Sequence, residues 1–337
     1  MRPFQLALVS VALGVMFANT GDSSSAKTSP AGILLVANKG AHSLGIINPS
    51  SGQQVAEVPE EGITGHEVAA SADGKTAYVP IYGNSGVGKP GTDGHNMVVI
   101  DIASRKLVGN VDFGHAVRPH CPVFDRKDGV LYVTTELDQT ISIIDPNTLK
   151  IIGTVPTGQP ESHMLAITKN GRRGYTANVG PGTVSVLDLK AKKVITVIPI
   201  SKETQRISLS ADDRMAFTSD QTKPQLAVID TATNKVKTWV ALPGLGYGTA
   251  ATRDGRWLLV AVPHEHKVAV VDLKTMKVAH NIDVPASPQE VLVRPDGKIA
   301  YVSCDSSHQV AAISIPDWTV NLIDAGKGTD GLAWSTE

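Results

Sequence analysis

The chain is short of several things, and each shortage excludes something. Two Cys in 337 residues cannot make a disulfide framework. Thirty-one Lys+Arg against 32 Asp+Glu leave a formal charge of −1. Without a basic excess the chain is no nucleic-acid scaffold, because phosphate contacts dominate that kind of affinity. No stretch of 18 apolar residues follows residue 30, so no further membrane-spanning helix is expected. No amphipathic helical pattern stands out there either, and there is no Cys-x-x-Cys-His for covalent haem attachment. What remains is a globular composition, 42% hydrophobic and 19% charged. Its 31 Gly and 20 Pro suit many tight turns but are too few for a low-complexity polymer.

The first segment reads as an export signal. Arg2 is the only charge before the apolar run Phe4 to Ala18, which is too short to span a bilayer but suits a signal-peptide core. Small residues follow, and cleavage after Ala18 or after Ala26 both fit. No Cys follows the run, so no lipid anchor is expected there. Removing residues 1–26 deletes Arg2 and Asp22 and keeps the charge at −1. The division is then residues 1–26 as signal peptide and short polar linker, and residues 27–337 as a single periplasmic or secreted domain. An uncleaved membrane anchor is the competing reading.

Length alone would favour two domains at about 150 residues each. A repeat argues otherwise. An apolar run ending in Asp closes at Asp101, Asp145, Asp188, Asp230 and Asp272, with steps of 44, 43, 42 and 42. Gly45-Ile46-Ile47-Asn48 matches 53 residues upstream of Asp101, and Ala311-Ala312-Ile313-Ser314 matches 42 residues downstream of Asp272, making seven copies. A second marker keeps the same period: Asp73-Gly74, Asp128-Gly129, Asn170-Gly171, Asp254-Gly255 and Asp296-Gly297 each precede a strand-like run. Such pairs supply the positive φ of tight hairpins. The runs after them, such as Tyr132-Val133-Thr134-Thr135 and Tyr301-Val302-Ser303-Cys304, favour strand. This period with four short strands per unit predicts an all-β fold, a seven-bladed β-propeller of four-stranded blades. The chain begins on a second-strand pattern (Ile33 to Asn38) and ends on a first-strand pattern (Asp330 to Trp334). The C-terminal strand is therefore expected to join the N-terminal blade and close the ring.

On these residues the chain resembles the YVTN-repeat propeller family, whose relatives include YncE-like periplasmic proteins and, more distantly, the haem domain of cytochrome d1. The resemblance covers about residues 31–336 and implies the fold. It does not imply one function, because the family's repeat is structural and its members do different jobs.

Strand order places loops after second strands, and lead-ins to first strands, on one face. His42, His95, His264, His266 and His308 fall in the former; His66, His115, His120 and His163 fall in the latter, leaving His280 of the ten on an outer strand. The channel-lining position reads His66, Cys121 with His120 adjacent, His163, Gln205, Tyr247 and Gln289, with Asp330 from the closing strand. One extra residue in the third blade would bring His120 into register. Three imidazoles on consecutive inner strands suit a divalent transition metal, copper or zinc. A polar, water-filled channel accounts for the same residues. Glu67, Arg206 and Glu290 lie one position on, and with Tyr247 they are the candidate catalytic groups. Arg118 and Arg206 are candidate clamps for a ligand anion. His264-Glu265-His266 is a further possible ligand pair if the segment is extended. The Gly-rich segment Tyr82 to His95 is expected to be a lid, a binding loop or a disordered insertion; no helix follows it, so no nucleotide cofactor is expected. Cys121 and Cys304 fall across the ring and are expected as free thiols, Cys121 as a ligand or a small buried residue.

Three functions fit. One is a metal-dependent hydrolase, lyase or oxidoreductase acting on a small molecule. Another is a non-catalytic propeller docking a small-molecule or protein ligand on the His-rich face. The third is a metal-free lactonase-like hydrolase, as some seven-bladed relatives are, using Glu67, Glu290 and His163. A monomer is expected, with no nucleic-acid partner and no membrane span after signal cleavage.

Overall fold

The computed structural model describes residue 1 and residues 32–336; the expected signal segment lies outside them. Seven four-stranded antiparallel sheets form the ring of a β-propeller. Blade 1 combines Thr329–Ser335 with Ile33–Asn38, Ser43–Asn48 and Gln53–Pro59. Blades 2 to 7 follow in chain order, with inner strands Ala69–Ala70, Pro119–Asp125, Ser162–Ile167, Thr204–Leu209, Thr249–Ala251 and Pro288–Val293. Among the described residues no helix is long and apolar enough to cross a membrane.

The repeated Asp has a local cause. Its Oδ1 accepts a backbone N–H two or three residues on, as in Asp101 with Ser104 (2.7 Å), Asp145 with Asn147 (2.9 Å) and Asp230 with Thr233 (2.8 Å). These Asx turns replace the ladder bonds that the chain leaves behind. A residue with positive φ then starts the outer strand: Arg105, Leu149, Lys192, Asn234 or Met276.

Middle strands such as Val130–Thr135 and Trp257–Val262 are buried almost throughout, whereas outer strands such as Lys106–Asp112 alternate between exposed and covered. The apolar core accordingly lies between neighbouring sheets. Leu35, Val58, Val79 and Val98 fill the space between blades 1 and 2, and Val36, Tyr301, Val310 and Trp334 that between blades 7 and 1.

Closure is as expected. Thr329–Ser335 runs antiparallel to Ile33–Asn38, with Trp334 opposite Leu34 and Leu332 opposite Val36. Ser335 Oγ also donates to the carbonyl of Gly74 in blade 2 (2.5 Å). Deleting residues 329–337 would expose a sheet edge and unpack Leu332 and Trp334; each such side chain contributes about 1.5–3 kcal/mol by burial. The truncated chain is expected to melt well below the full chain in calorimetry; an unchanged midpoint would contradict the closure.

Cys121 and Cys304 are both buried and free. In denaturant without reductant the protein is expected to titrate two equivalents of a thiol reagent, and zero equivalents would overturn the blade assignment.

Candidate functional site

The inner strands break register where the candidate residues sit. Pro119 pairs with Thr135 and Pro122 with Val133, so His120 and Cys121 together oppose Thr134. His163 is the unpaired residue between Ser162 and Met164. Arg206 and Ile207 bulge between Gln205 and Ser208, and Gln289 and Glu290 between Pro288 and Val291. Bulges bend the strand and re-aim side chains. Hydroxyls from the second strand satisfy the freed backbone. Thr134 Oγ1 accepts from the Cys121 N–H (2.9 Å) and donates to the His163 carbonyl (2.8 Å). Thr218 Oγ1 donates to the Arg206 carbonyl (2.7 Å), and Ser303 Oγ accepts from the Glu290 N–H (3.0 Å). Pro119–Asp125 has seven residues where Ser162–Ile167 has six. That extra residue brings His120 beside His163 and sends Cys121 into the core, its Sγ 3.6 Å from the Leu165 carbonyl.

The three imidazoles meet at the channel mouth. His120 stacks on His163 at 3.6 Å between ring centroids, and His66 meets His120 edge-on at 5.5 Å. Tyr82 packs against all three at 5.0–5.7 Å. Burial lowers the His66 pKa to about 4, although Asp330 opposes the shift, and burial beside His163 and His66 holds His120 well below its ordinary value. Behind the rings lies Glu136, which the sequence reading missed. It accepts hydrogen bonds from Tyr82 Oη (2.6 Å) and Arg118 (3.1 Å), and its Oε2 lies 3.4 Å from His163 Nδ1. Burial opposes its charge, yet His163, Tyr82 and Arg118 together hold its pKa below the usual carboxylate value. An ionised Glu136 favours the His163 tautomer with the proton on Nδ1, since a carboxylate accepts and cannot donate.

Beside the imidazoles, Arg206 from blade 5 collects carboxylates from across the axis. It donates to Glu67 of the blade 2 lead-in, to Glu290 (2.6 Å) and to Asp330 of the closing strand (3.0 Å). Its guanidinium lies 5.0 Å from the centre of the Tyr247 ring, and Lys39 joins Asp330 (3.2 Å) and Asp305 (2.9 Å). The closing strand approaches so tightly that a Cβ on Gly331 would fall 2.6 Å from Glu67 Cα and from the His66 carbonyl oxygen. The Gly331 N–H instead donates to that oxygen (2.8 Å). Burial raises the pKa of Glu67 and of Glu290 despite Arg206, whereas Lys39 and Arg206 overcome burial and keep Asp330 low.

The structure thus brings together every residue proposed for metal or catalysis: His66, His120 and His163 on one side, Glu67, Arg206, Glu290 and Tyr247 on the other. Three details depart from the sequence expectation. Arg118 and Arg206 are occupied by protein carboxylates and carbonyls, not open for a ligand anion. His264-Glu265-His266 is not extended: Pro263–Glu265 forms a 3₁₀ turn and His266 adopts φ 53°, so the two imidazoles do not form a pair along one side. Glu136, Tyr82 and Lys39 complete the site without having been singled out.

Among the described residues no group of three or more His, Cys, Asp or Glu is placed to hold a metal ion. A ligating imidazole keeps the metal in its own plane at about 2 Å from nitrogen. Two rings stacked at 3.6 Å share no such point as they stand.

Two clefts flank the mouth. One of about 370 Å³ has Arg118, Glu136, Leu137, Gln139 and Glu161 beneath Gly88–Pro90. The other, about 240 Å³, includes Tyr247, His264 and Gln289. A larger cleft of about 610 Å³ on the opposite face is lined by Arg173, Tyr175, Asp188, Lys190 and Asp213, with no histidine among its lining residues.

No protein-family model and no curated protein matches the chain. Solved structures do. A Pseudomonas aeruginosa periplasmic gluconolactonase superposes with TM-score 0.71 at 16% identity, over 90% of this chain and 99% of that one. Hydrazine synthase of Kuenenia stuttgartiensis gives 0.67 at 18%, over 84% and 93%, and the dihydro-haem d1 dehydrogenase NirN gives 0.65 at 13%, over 91% and 76%. At these identities the likeness is one of fold.

Glu60 offers a test of the lead-in to His66. It is fully buried; Oε2 accepts the Gly65 N–H (2.8 Å) and Oε1 has no partner among the described residues. Burial raises its pKa to about 7, although the Gly65 bond opposes this. An acid whose pKa rises on folding adds stability at pH below its unfolded value and loses it as pH climbs through the folded value. Unfolding free energy is therefore expected to fall by about 3 kcal/mol on this account between pH 4.5 and 7. Glu60→Gln keeps the acceptor for Gly65 and should flatten that slope in denaturant titrations; an identical slope in both proteins would contradict the assignment.

Proposed function

We propose that the channel mouth is the active site of an exported, metal-independent hydrolase acting on a small polar ester or lactone. The observation that carries this reading is the contact of Glu136 with His163 Nδ1, with Tyr82 and Arg118 holding the carboxylate. A carboxylate that fixes one ring nitrogen as donor leaves the other as a general base. In this reading His163 takes a proton from water as the water adds to the carbonyl carbon. Glu67, whose pKa burial raises to about 8, gives its proton to the departing alkoxide oxygen. Arg206, bonded to Glu290 and Asp330 and facing the Tyr247 ring, holds Glu67 in place at the channel mouth. The leader-like first segment supports export, and the fold likeness to a periplasmic gluconolactonase agrees with both location and reaction class.

A second reading keeps a copper or zinc site at His66, His120 and His163. The convergence of three imidazoles favours it, and it requires one ring of the stacked pair to turn.

A pH-stat assay on a panel of lactones and esters, run on chelator-treated protein with elemental analysis before treatment, separates the readings. Turnover that survives chelation and falls by about 10²–10⁴-fold in His163→Asn, Glu136→Gln and Glu67→Gln is expected. A bound metal at one equivalent that is lost together in the His66→Ala, His120→Ala and His163→Ala variants would transfer the assignment to the metal site. Ligand binding without turnover would leave a recognition propeller.

A further inference from the structure

The Gly-rich segment from Tyr82 to His95 hangs on one side chain. Between Asn84 and Asp93, the side-chain hydrogen bonds that tie this loop to the rest of the described protein all involve Arg118, and the Asp93–Gly83 strand pairing closes the base of the loop. Arg118 Nε donates to Asp93 Oδ1 (2.6 Å), Nη2 to the Lys89 carbonyl (2.6 Å) and Nη1 to the Gly86 carbonyl (3.4 Å). The same Nη1 donates to Glu136 Oε1 (3.1 Å). The guanidinium therefore spans the loop and the Glu136–His163 dyad with no nitrogen left over. Other bonds are internal to the loop, as in Ser85 with Asp93 (3.0 Å) and Thr92 with Asn84 (2.7 Å).

The ends of the loop converge on the same place. Tyr82 at its start holds the other oxygen of Glu136, and the Gly94 carbonyl at its end accepts the N–H groups of Val117 and Arg118 (3.0 Å each). Gly94 passes so near the Ile81 carbonyl that a Cβ would fall 1.6 Å from its oxygen. Arg118 itself has φ 49°, a conformation that non-glycine residues adopt only when their surroundings impose it. Lys89, Pro90, Gly91 and Thr92 at the tip are exposed. A tip with few contacts and one multidentate anchor is built to dock and undock.

We propose that Arg118 is a positioning residue that makes docking of the loop the condition for a fixed Glu136 carboxylate, and so for a single proton position on His163. This rests on the reading of His163 as the base. A docked loop presents the guanidinium to Glu136 Oε1 and Tyr82 to Oε2; Glu136 then faces His163 Nδ1 in one orientation. An undocked loop frees Arg118 to swing with Asp93 and the two carbonyls, and Glu136 loses the partner that orients it. The cleft under Gly88–Pro90 has Arg118 and Glu136 in its wall, so a molecule in it would press on this anchor.

The test uses the full mature chain, with two variants. Arg118→Lys keeps the charge but not the planar fork. Asp93→Asn weakens the anchor from the half-buried loop side and leaves every group of the dyad in place. Hydrogen exchange of amides 84–92 reads docking, and imidazole ¹⁵N shifts of His163 at fixed pH read the proton position. Both variants are expected to speed loop exchange about tenfold or more while strands of blades 5–7 keep their protection, and to turn a single His163 Nδ1–H pattern into a mixture of tautomers. Faster loop exchange with an unchanged His163 pattern would overturn the proposal, as would no change in either. Should Arg118→Lys fail to fold, Asp93→Asn decides alone. If tautomer follows docking but His163→Asn retains turnover, the coupling stands and the hydrolase reading falls.

Discussion

One guanidinium reaches across the axis of the ring, and the site is arranged around it. Arg206 leaves blade 5 and bonds carboxylates from blade 2, blade 7 and the closing strand, with Lys39 of blade 1 balancing Asp330 from the other side. Taking several charges out of water costs more than their pairing commonly returns, so such a cluster is weak support for stability. The pKa values of Glu67 and Glu290 express the same cost in another form: three carboxylates crowd one arginine, and burial raises the pKa of two of them. A propeller tolerates this because its apolar core lies between sheets and not on the axis. The channel mouth can hold groups chosen for chemistry while the sheets supply the folding energy.

The side chains reach the axis by breaking the strands that carry them. A regular inner strand would alternate its residues between two faces. Bulges at His120, His163, Arg206 and Gln289–Glu290 remove a residue from the alternation, and Thr134, Thr218 and Ser303 on the second strand accept or donate in place of the missing ladder bonds. The hydroxyls that make the Tyr-Val-Thr pattern recur thus have a role at the site as well as a strand preference. Positive φ at Arg118, Glu161 and Ser287, each two residues before an axis position, steers the chain into the channel at three blades.

Much of this was legible in the sequence. The period of 42–44 residues, the Asp turns and the split first blade lead to the observed ring, because each rests on local chemistry that one segment can specify. The axis residues were legible from their offset to the Asp-Gly turn, including the extra residue that aligns His120. Other parts were not. Glu136 follows a second strand in Thr135-Glu136-Leu137 and carries no spacing signal; only the ring brings it behind His163. Arg118 reads as a free clamp in the sequence, since two of its partners are backbone carbonyls of Gly86 and Lys89, which leave no mark on residue type. His264 and His266 show the reverse error. Their two-residue spacing implies a pair only in an extended chain, and Pro263, which suits the first turn of a helix, was the available warning.

The distribution of histidines sharpens the distinction between a face and a site. Nine of ten lie on one face by topology, yet His42, His95, His115, His264, His266 and His308 are exposed there, and His308 and His266 adopt left-handed turns. A positive φ suits short polar residues, so part of the enrichment reflects turn geometry and not ligand binding. The three imidazoles that meet are those on bulged or lead-in positions of consecutive inner strands, where the fold aims them at one another. Convergence, not abundance, separates them from the rest. It also explains why the dyad with Glu136 carries more weight than the count: stacking alone leaves two equivalent rings, whereas a buried carboxylate against one nitrogen makes His163 chemically different from His120.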